Sequence, residues 1–182
     1  MEEAPSVVAV CGSLREPSTT YLALEHALDA AEEAGAETEL IDLRRWDLPL
    51  FDPDARERGD ADALRTLVSD ADAVLMGTPV YHGMVSSALK NAFDYLGRDE
   101  FENTTVGLLA TAGGGSYAQT LEHLRTGVRT VHGWTLPHEV GIRGAADAFD
   151  ADGEFVDSAL EARVRKLGRM ATENAFTEPK PT

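Results

Sequence analysis

Cysteine is almost absent from this 182-residue chain, which contains only Cys11. A single cysteine excludes an intramolecular disulfide and a cysteine-based metal cluster, and it favours a reducing, cytoplasmic location. Long apolar runs are missing too: the longest has about six residues, whereas a membrane-spanning helix needs roughly 20. The first residues, Met1-Glu2-Glu3, lack the basic region of a secretory signal. We therefore expect a cytoplasmic protein that does not enter a membrane.

Lysine is scarce as well, since only Lys90, Lys166 and Lys180 are present. The 32 Asp and Glu residues outnumber the 16 Lys and Arg residues and give a net charge of −16. Nucleic acids and anionic membrane surfaces repel such a polyanion, so neither is expected as a partner. Excess acid with little lysine resembles proteins of salt-loving organisms, in which concentrated salt screens the repulsion. We predict a halophilic origin, with an ordinary acidic cytosolic protein as the alternative.

Apolar, β-rich segments alternate with segments whose apolar residues have helical spacing. Strands are predicted at Ser6–Cys11, Glu37–Leu43, Ala73–Gly77, Thr105–Ala110 and Trp134–Glu139. Helices are predicted at Thr19–Ala34, Asp60–Asp70, Ser86–Leu96, Tyr117–His132 and Asp157–Asn174. This alternation predicts an α/β fold, a parallel sheet with helices on both faces. For five strands the flavodoxin-like order 2-1-3-4-5 is the leading arrangement. We expect a single domain over residues 1–176 and a flexible tail over residues 177–182.

The loop after the first strand is rich in groups that bind phosphate. Gly12–Thr20 contains four hydroxyl side chains and Arg15, and it leads directly into a helix. Ligands of such sheets bind at the carboxyl ends of the strands, and helix N-termini, hydroxyls and arginine all favour phosphate. The P-loop pattern of NTPases is absent from the sequence. The loop therefore predicts phosphate binding without NTPase activity; the alternative is an ordinary turn whose hydroxyls cap the helix.

The loop after the fourth strand has three consecutive glycines, Gly113–Gly115. Glycine allows a positive φ and a close approach of backbone to a ligand, which suits the edge of a planar molecule. The spacing Gly113-x-Gly115-x-x-Ala118 also fits a dinucleotide fingerprint, but that fingerprint belongs in the first loop of the sheet. Gly114-x-Ser116-x-Ala118 is close to a nucleophile elbow, but a hydrolase also needs an acid and then a histidine further along the chain. The only acid between Ser116 and the last histidine, His138, is Glu122, which is too close in the chain to be a plausible triad acid. We therefore predict neither a Rossmann site nor a hydrolase.

The loop after the third strand carries the most specific pattern. Thr78–Gly83 (T-P-V-Y-H-G) and Leu89–Tyr95 (L-K-N-A-F-D-Y) together resemble the NADPH-dependent FMN reductase family, which includes quinone, azo-dye and chromate reductases and has a flavodoxin-like fold. Gly12–Arg15 and Ala110–Gly115 match that family's first and third loops, so the resemblance runs from Ser6 to Glu139. It implies an oxidoreductase that binds FMN, takes hydride from NADPH or NADH and reduces a flavin, quinone or similar small molecule.

The resemblance also implies which residues hold the FMN phosphate. These are Ser13, Arg15 and Ser18, with Thr20 at a position where the family often has asparagine. No side chain is expected to be catalytic, because the flavin carries the chemistry. No metal site is expected, because the histidines lack ligand spacing.

The same resemblance implies which residues border the flavin ring and its ribityl chain: Pro79, Val80, Tyr81, His82 and Gly83 on one side, and Thr111, Gly113 and Gly114 on the other. The family commonly has glutamate at the position of Val80 and asparagine at that of His82. Only backbone contacts of these two residues are therefore carried over. By itself, His82 is better explained as an ordinary loop histidine than as a catalyst or a ligand.

The family's dimer interface commonly includes the helix that Lys90, Asn91 and Asp94 share here. We therefore expect a homodimer, or a tetramer of such dimers, through Ser86–Leu96 and the preceding Met84-Val85 tip. Two alternatives to an enzyme stay open: a non-catalytic electron carrier resembling flavodoxin, and a flavin-binding regulatory domain.

Overall fold

A parallel sheet forms the centre of the chain, whose computed structural model describes residues 4–176. Its strands are β1 (Ser6–Cys11), β2 (Glu37–Asp42), β3 (Ala73–Pro79), β4 (Thr105–Ala112), β5 (Trp134–Thr135) and β6 (Val140–Arg143). The order across the sheet is β2-β1-β3-β4-β5, and β6 also pairs with β4. All of these pairings are parallel. The predicted flavodoxin-like order is confirmed.

The last position of the sheet differs from the prediction of one strand over Trp134–Glu139. β5 has two residues and pairs with Thr105 and Val106, at the beginning of β4. β6 pairs with the end of β4, from Leu109 to Ala112. Pro137 lies between them and has no N–H to donate to the neighbouring strand, so the ladder is interrupted there. The chain consequently reaches the carboxyl edge of the sheet at Arg143.

The helices are α1 (Thr19–Glu33), α2 (Ala61–Asp70), α3 (Ser87–Asp94), α4 (Arg98–Phe101), α5 (Ala118–Thr130) and α6 (Ser158–Glu173). All five predicted helices are present, with ends within two residues of the predicted ones, and the four-residue α4 was not predicted. None of the helices in residues 4–176 combines the length and the apolar character that crossing a bilayer requires. The predicted tail, residues 177–182, lies outside the described residues.

The sheet is buried on both faces, which explains why its strands read as apolar runs. Val8 and Val10 of β1 belong to a core shared with α2, α3 and α5. Val7 and Ala9, on the opposite face, belong to a core shared with α1 and α6. Helices α1 and α6 approach so closely that a Cβ on Gly168 would lie 1.7 Å from the Ala27 carbonyl oxygen. Packing therefore requires glycine at this position.

Candidate functional site

A cleft of about 280 Å³ lies at the carboxyl edge of the sheet, where β1, β3, β4 and β6 end. The predicted site residues that line it are Ser13, Arg15, Ser18, Thr20, Pro79, Val80, Tyr81, Thr111 and Gly113. Three others, His82, Gly83 and Gly114, belong to the same loops but do not line it. Four further residues line the cleft that were not predicted from the sequence: Pro17, Thr19, Ala145 and Ala146.

Ala145 and Ala146 reach the cleft because they follow β6, the strand that was not predicted. The four residues Val140–Arg143 are followed by Gly144, which has a φ of 65° in the left-handed region that favours glycine. A short apolar segment that ends at a glycine was the available signal. It was missed because the fifth strand was predicted to end at Glu139.

The loop between β1 and α1 presents buried hydroxyls to the cleft. The Arg15 N–H donates to Ser13 Oγ at 3.3 Å, and the Tyr21 N–H donates to Ser18 Oγ at 3.1 Å, so that Ser18 caps α1. Both oxygens act as acceptors within the loop, and each hydroxyl keeps its proton for another acceptor. The capping explanation and the ligand-binding explanation are therefore compatible.

A hydroxyl pair joins this loop to the end of β4. Thr20 Oγ1 and Thr111 Oγ1 lie 2.6 Å apart, and both residues are buried. One of the two hydroxyls donates to the other, and the accepting hydroxyl keeps its own proton. The backbone adds a second link to β4, since the Val80 N–H donates to the Thr111 carbonyl at 2.8 Å. The loops after β1 and β3 are thus both fastened to the same residue.

Among the described residues that line the cleft, Arg15 alone is charged. Its side chain is exposed, and within residues 4–176 it forms no ion pair. In a chain with a net charge of −16, an acid-free cleft with one available guanidinium favours an anion. In the same range, no three His, Cys, Asp or Glu side chains are grouped so as to hold a metal ion.

A second arginine, Arg44, anchors the loop between β1 and α1. Arg44 Nε donates to both carboxylate oxygens of Asp42, at 2.9 and 3.0 Å, and its Nη1 donates to the Arg15 carbonyl at 2.9 Å and to the Glu16 carboxylate. Burial by itself would raise the pKa of Asp42, but the hydrogen bonds from Arg44 outweigh it and hold that pKa below its ordinary value. Arg44 thereby neutralises Glu16, the acid next to Arg15.

Arg44 was not identified from the sequence. Its contacts with Arg15 and Glu16 span 29 and 28 residues of chain, and the sequence pattern contains no sign of that pairing.

The loop after β3 forms a two-residue hairpin turn. The Tyr81 N–H donates to the Met84 carbonyl at 3.1 Å, and the Met84 N–H donates back at 2.9 Å. His82 and Gly83 have φ values of 54° and 75°, which is the pattern of a type I′ turn. Glycine and asparagine adopt this conformation readily, whereas histidine adopts it at some cost. The turn leaves Tyr81 and Met84 half exposed, at 47% and 50%.

The glycines after β4 have no packing role in the part of the chain that the structure describes. A Cβ built on Gly113, Gly114 or Gly115 would meet no atom within 4 Å. The positive φ that these glycines were expected to use is not found, since none of the three lies in the left-handed region. Their value is therefore the open space and exposed backbone that they leave beside the cleft.

Ser86 ties the loop after β1 to the beginning of α3. Its Oγ donates to the Gly12 carbonyl at 2.7 Å and accepts from the Leu89 N–H at 3.1 Å, which caps the helix. Gly12 is required here, because a Cβ on it would lie 2.6 Å from the Leu89 Cβ.

All three residues predicted at a dimer interface, Lys90, Asn91 and Asp94, make contacts within the chain. Asn91 Nδ2 donates to the Leu48 and Pro49 carbonyls at 3.1 Å each, and Asn91 Oδ1 accepts from the Phe51 N–H at 2.8 Å. Lys90 pairs with Asp94 at 2.5 Å on the surface of α3. The Asn91 side chain therefore positions the loop of residues 48–51 and is not free at the surface.

Comparisons with known proteins place the chain among flavin enzymes. Residues 5–147 match the family described as NADPH-dependent FMN reductase. An NADPH azoreductase of Bacillus sp. strain OY1-2 is 35% identical over 157 residues, which cover 84% of this chain and 83% of that protein. An FMN-dependent NADPH-azoreductase of Staphylococcus aureus is 30% identical over 164 residues, covering 86% of this chain and 87% of that protein.

Solved structures have the same fold. The NAD(P)H:(acceptor) oxidoreductase FerB from Paracoccus denitrificans superimposes with a TM-score of 0.78 at 23% identity, covering 94% of this chain and 100% of that one. An azoreductase from Bacillus anthracis superimposes with a TM-score of 0.67 at 17% identity, covering 93% and 99%. At such identities the likeness shows the flavodoxin-like fold alone.

Proposed function

The chain belongs to the NADPH-dependent FMN reductase family, and from this we propose that it binds FMN in the cleft, oxidises NADPH or NADH, and reduces a flavin, a quinone or an azo compound. The observation that carries the proposal is the acid-free cleft, which is lined by buried hydroxyls and one unpaired guanidinium and lies beside an open glycine loop. We propose that the reaction takes place in the cytoplasm, because a chain with one cysteine is typical of a reducing compartment.

The loop after β1 fits a terminal phosphate. Ser13 and Ser18 each keep a hydroxyl proton, Arg15 adds a guanidinium, and the first N–H groups of α1 lack partners within the helix. Charge-assisted hydrogen bonds of this kind are the strong ones. A monophosphate matches this donor set, which favours FMN as the cofactor.

The other two loops fit a flat ring. The lack of any atom within 4 Å of a Cβ on Gly113 or Gly114 leaves room for a ligand edge against the backbone. On the facing loop, Pro79, Val80 and Tyr81 provide an apolar wall. We propose that the exposed N–H groups of the glycine loop donate to the polar edge of the ring.

FMN, when bound, supplies a flavin ring that can accept hydride from a nicotinamide and pass two electrons to an acceptor. The chain's own contribution is to bind and orient. Arg44 holds the loop between β1 and α1, residues 12–18, in place; we call it the phosphate loop. Thr111 bonds both Thr20, at the beginning of α1, and Val80, after β3. The half-exposed Tyr81 leaves the cleft open for substrates. No side chain of the chain is assigned a proton-transfer role.

The cofactor is tested with three flavins. Titration of the apoprotein with FMN, riboflavin and FAD is expected to rank FMN first, because riboflavin lacks the phosphate. Arg15→Ala is expected to reduce the preference for FMN over riboflavin, while Arg163→Ala, an equal change of charge on the exposed face of α6, leaves it unchanged. Equal affinity of the wild type for FMN and riboflavin would contradict the phosphate site.

The activity is tested by anaerobic mixing of the FMN-loaded protein with NADPH and NADH, followed by a quinone or an azo dye. Bleaching of the flavin within seconds and reoxidation by the acceptor are expected. If neither nicotinamide bleaches the flavin while dithionite does, the chain is an electron carrier and not a reductase.

We further propose that a second copy of the chain covers α3, giving a homodimer or a tetramer of dimers. An apolar groove of about 360 Å³ between α3 and α5 contains Met84, Phe93 and Leu124. A second groove on the other side of α3 contains Leu14 and Leu50, which are 59% and 84% exposed. Each groove includes a residue beside the cleft, Met84 in the first and Leu14 in the second, so exposed apolar surface lies next to the cleft on the side of α3.

Light scattering after size-exclusion chromatography tests the second copy. Met84→Lys is expected to shift the protein toward a monomer. Val156→Lys, at an apolar residue that is 68% exposed and outside both grooves, is the matched control and is expected to leave the mass unchanged. A wild type that elutes as a monomer at every concentration contradicts the interface.

A further inference from the structure

Arg143, the last residue of β6, is attached to the glycine loop. Its Nε donates to the Gly114 carbonyl at 3.1 Å, and its side chain is otherwise exposed. Within residues 4–176 it forms no ion pair, and neither Nη atom makes a hydrogen bond. One edge of the guanidinium is therefore fixed, and the two Nη groups remain available.

The guanidinium is held at the rim of the cleft by the segments on both sides of it. Gly114 follows Gly113, which lines the cleft, and Arg143 is followed two residues later by Ala145, which also lines it. Because the carboxyl ends of β4 and β6 pair side by side, this rim belongs to the same edge of the sheet. Within the described residues, no contact of Arg143 other than its hydrogen bond to the Gly114 carbonyl explains a cation here.

The charge of the chain makes this cation important for the proposed reaction. NADPH carries a pyrophosphate and a 2′-phosphate, and a protein of net charge −16 repels it. Of the cations that line the cleft or bond to its loops, Arg15 is assigned to the FMN phosphate, and Arg44 is paired with Asp42 and Glu16. Arg143 is the remaining cation without an acidic partner.

We propose that Arg143 binds a phosphate group of the nicotinamide dinucleotide, and that the Gly114 carbonyl orients the guanidinium for that contact. Arginine suits this role because its planar fork can donate two parallel hydrogen bonds to phosphate oxygens. This inference rests on the proposed function, and it names the residue that attracts the first substrate.

The test compares Arg143→Ala with Arg163→Ala in the FMN-loaded protein. Both substitutions change the net charge equally, but Arg163 is exposed on α6 and does not line the cleft. Calorimetric titration gives the Kd of NADP⁺ and of NAD⁺, and steady-state kinetics gives KM for NADPH and NADH. Arg143→Ala is expected to raise the Kd of NADP⁺ roughly tenfold at low salt, the effect of losing a charge-assisted hydrogen bond. Arg163→Ala is expected to leave it unchanged.

The two nucleotides distinguish the two phosphate sources. A loss of affinity confined to NADP⁺ and NADPH identifies the 2′-phosphate as the group bound. An equal loss of affinity for NAD⁺ and NADH identifies the pyrophosphate. Arg143→Gln keeps a side-chain donor near the Gly114 carbonyl but removes the charge, so it is expected to weaken nucleotide binding while the Kd of FMN stays at its wild-type value.

Unchanged nucleotide affinity in Arg143→Ala and Arg143→Gln, or the same change in Arg163→Ala, overturns the inference while the proposed function stands. A wild type that binds FMN but is not reduced by either nicotinamide overturns the proposed function itself, and the inference with it.

Discussion

Replacing Arg44 by alanine is the perturbation that best tests how the phosphate loop is built. The substitution removes the hydrogen bonds to the Arg15 carbonyl and to the Glu16 carboxylate. It also removes the hydrogen-bonded partner of the buried Asp42, which keeps the longer contact of 3.6 Å to the exposed Arg45. Breaking a fully buried pair costs about 3–5 kcal/mol. Because Arg44 retains some exposure, we expect about 2 kcal/mol in the free energy of unfolding, measured by urea titration of the apoprotein.

The affinity for FMN is expected to fall for a separate, electrostatic reason. Without Arg44, the Glu16 carboxylate is unpaired next to Arg15, where it repels a phosphate and competes for the guanidinium. We expect a weakening of about 1.5 kcal/mol, the lower end of the range for one charge-assisted hydrogen bond, because the Glu16 side chain is 81% exposed. Adding Glu16→Gln to Arg44→Ala is expected to recover a large part of that loss, because the competing charge is then gone.

Flavin fluorescence quenching in a double-mutant cycle measures this coupling. The control is Arg45→Ala, because Arg45, which is 81% exposed, also pairs with Asp42 at 3.6 Å, whereas the hydrogen bonds to Arg15 and Glu16 come from Arg44. If Arg44→Ala binds FMN as tightly as the wild type, or if Glu16→Gln restores nothing in that background, Arg44 does not prepare the phosphate loop.

Four further outcomes are expected. Arg15→Ala should weaken FMN by about 1.5–3 kcal/mol in calorimetry, and an unchanged Kd would remove Arg15 from the site. His82→Asn should stabilise the type I′ turn by roughly 0.5 kcal/mol in urea unfolding; a loss of stability would contradict the assigned turn. The folded-state pKa of Asp42 lies below its ordinary value of 3.8, so its contribution to stability is complete above that value and is lost as pH falls through the folded-state pKa; Asp42→Asn should flatten this acid-side decline in acid titrations followed by circular dichroism. The melting temperature should rise from dilute to molar salt, because salt screens the repulsion within a chain of net charge −16, and a flat curve would argue against a halophilic origin.

The parallel sheet could be predicted because its strands are buried on both faces and its helices have clear apolar spacing. Val7 to Val10 are all apolar for that reason, and Leu89 and Ala92 mark the inner side of α3. The cleft followed from the sheet order, since ligands collect where such strands end. These features depend on residues close together in the chain.

The contacts that complete the site depend on residues far apart in the chain. The Thr20–Thr111 hydroxyl pair spans 91 residues, and nothing in the local composition of either segment indicates that the two will meet. β6 escaped prediction because four residues around Gly141 carry too short an apolar pattern. The left-handed φ of His82 could not be foreseen either, since histidine is not a residue that usually signals such a turn.

If two copies pair through α3, Ser86 makes assembly and cofactor binding parts of one equilibrium. Its hydroxyl bonds the Gly12 carbonyl at the base of the phosphate loop while capping the helix that a second copy is proposed to cover. If pairing of two copies stabilises the first turn of α3, it also stabilises the loop that receives the phosphate. Thermodynamic reciprocity then requires FMN to strengthen pairing by the same factor. Dilution should therefore release flavin from the wild type, and Ser86→Ala should weaken that dependence on protein concentration.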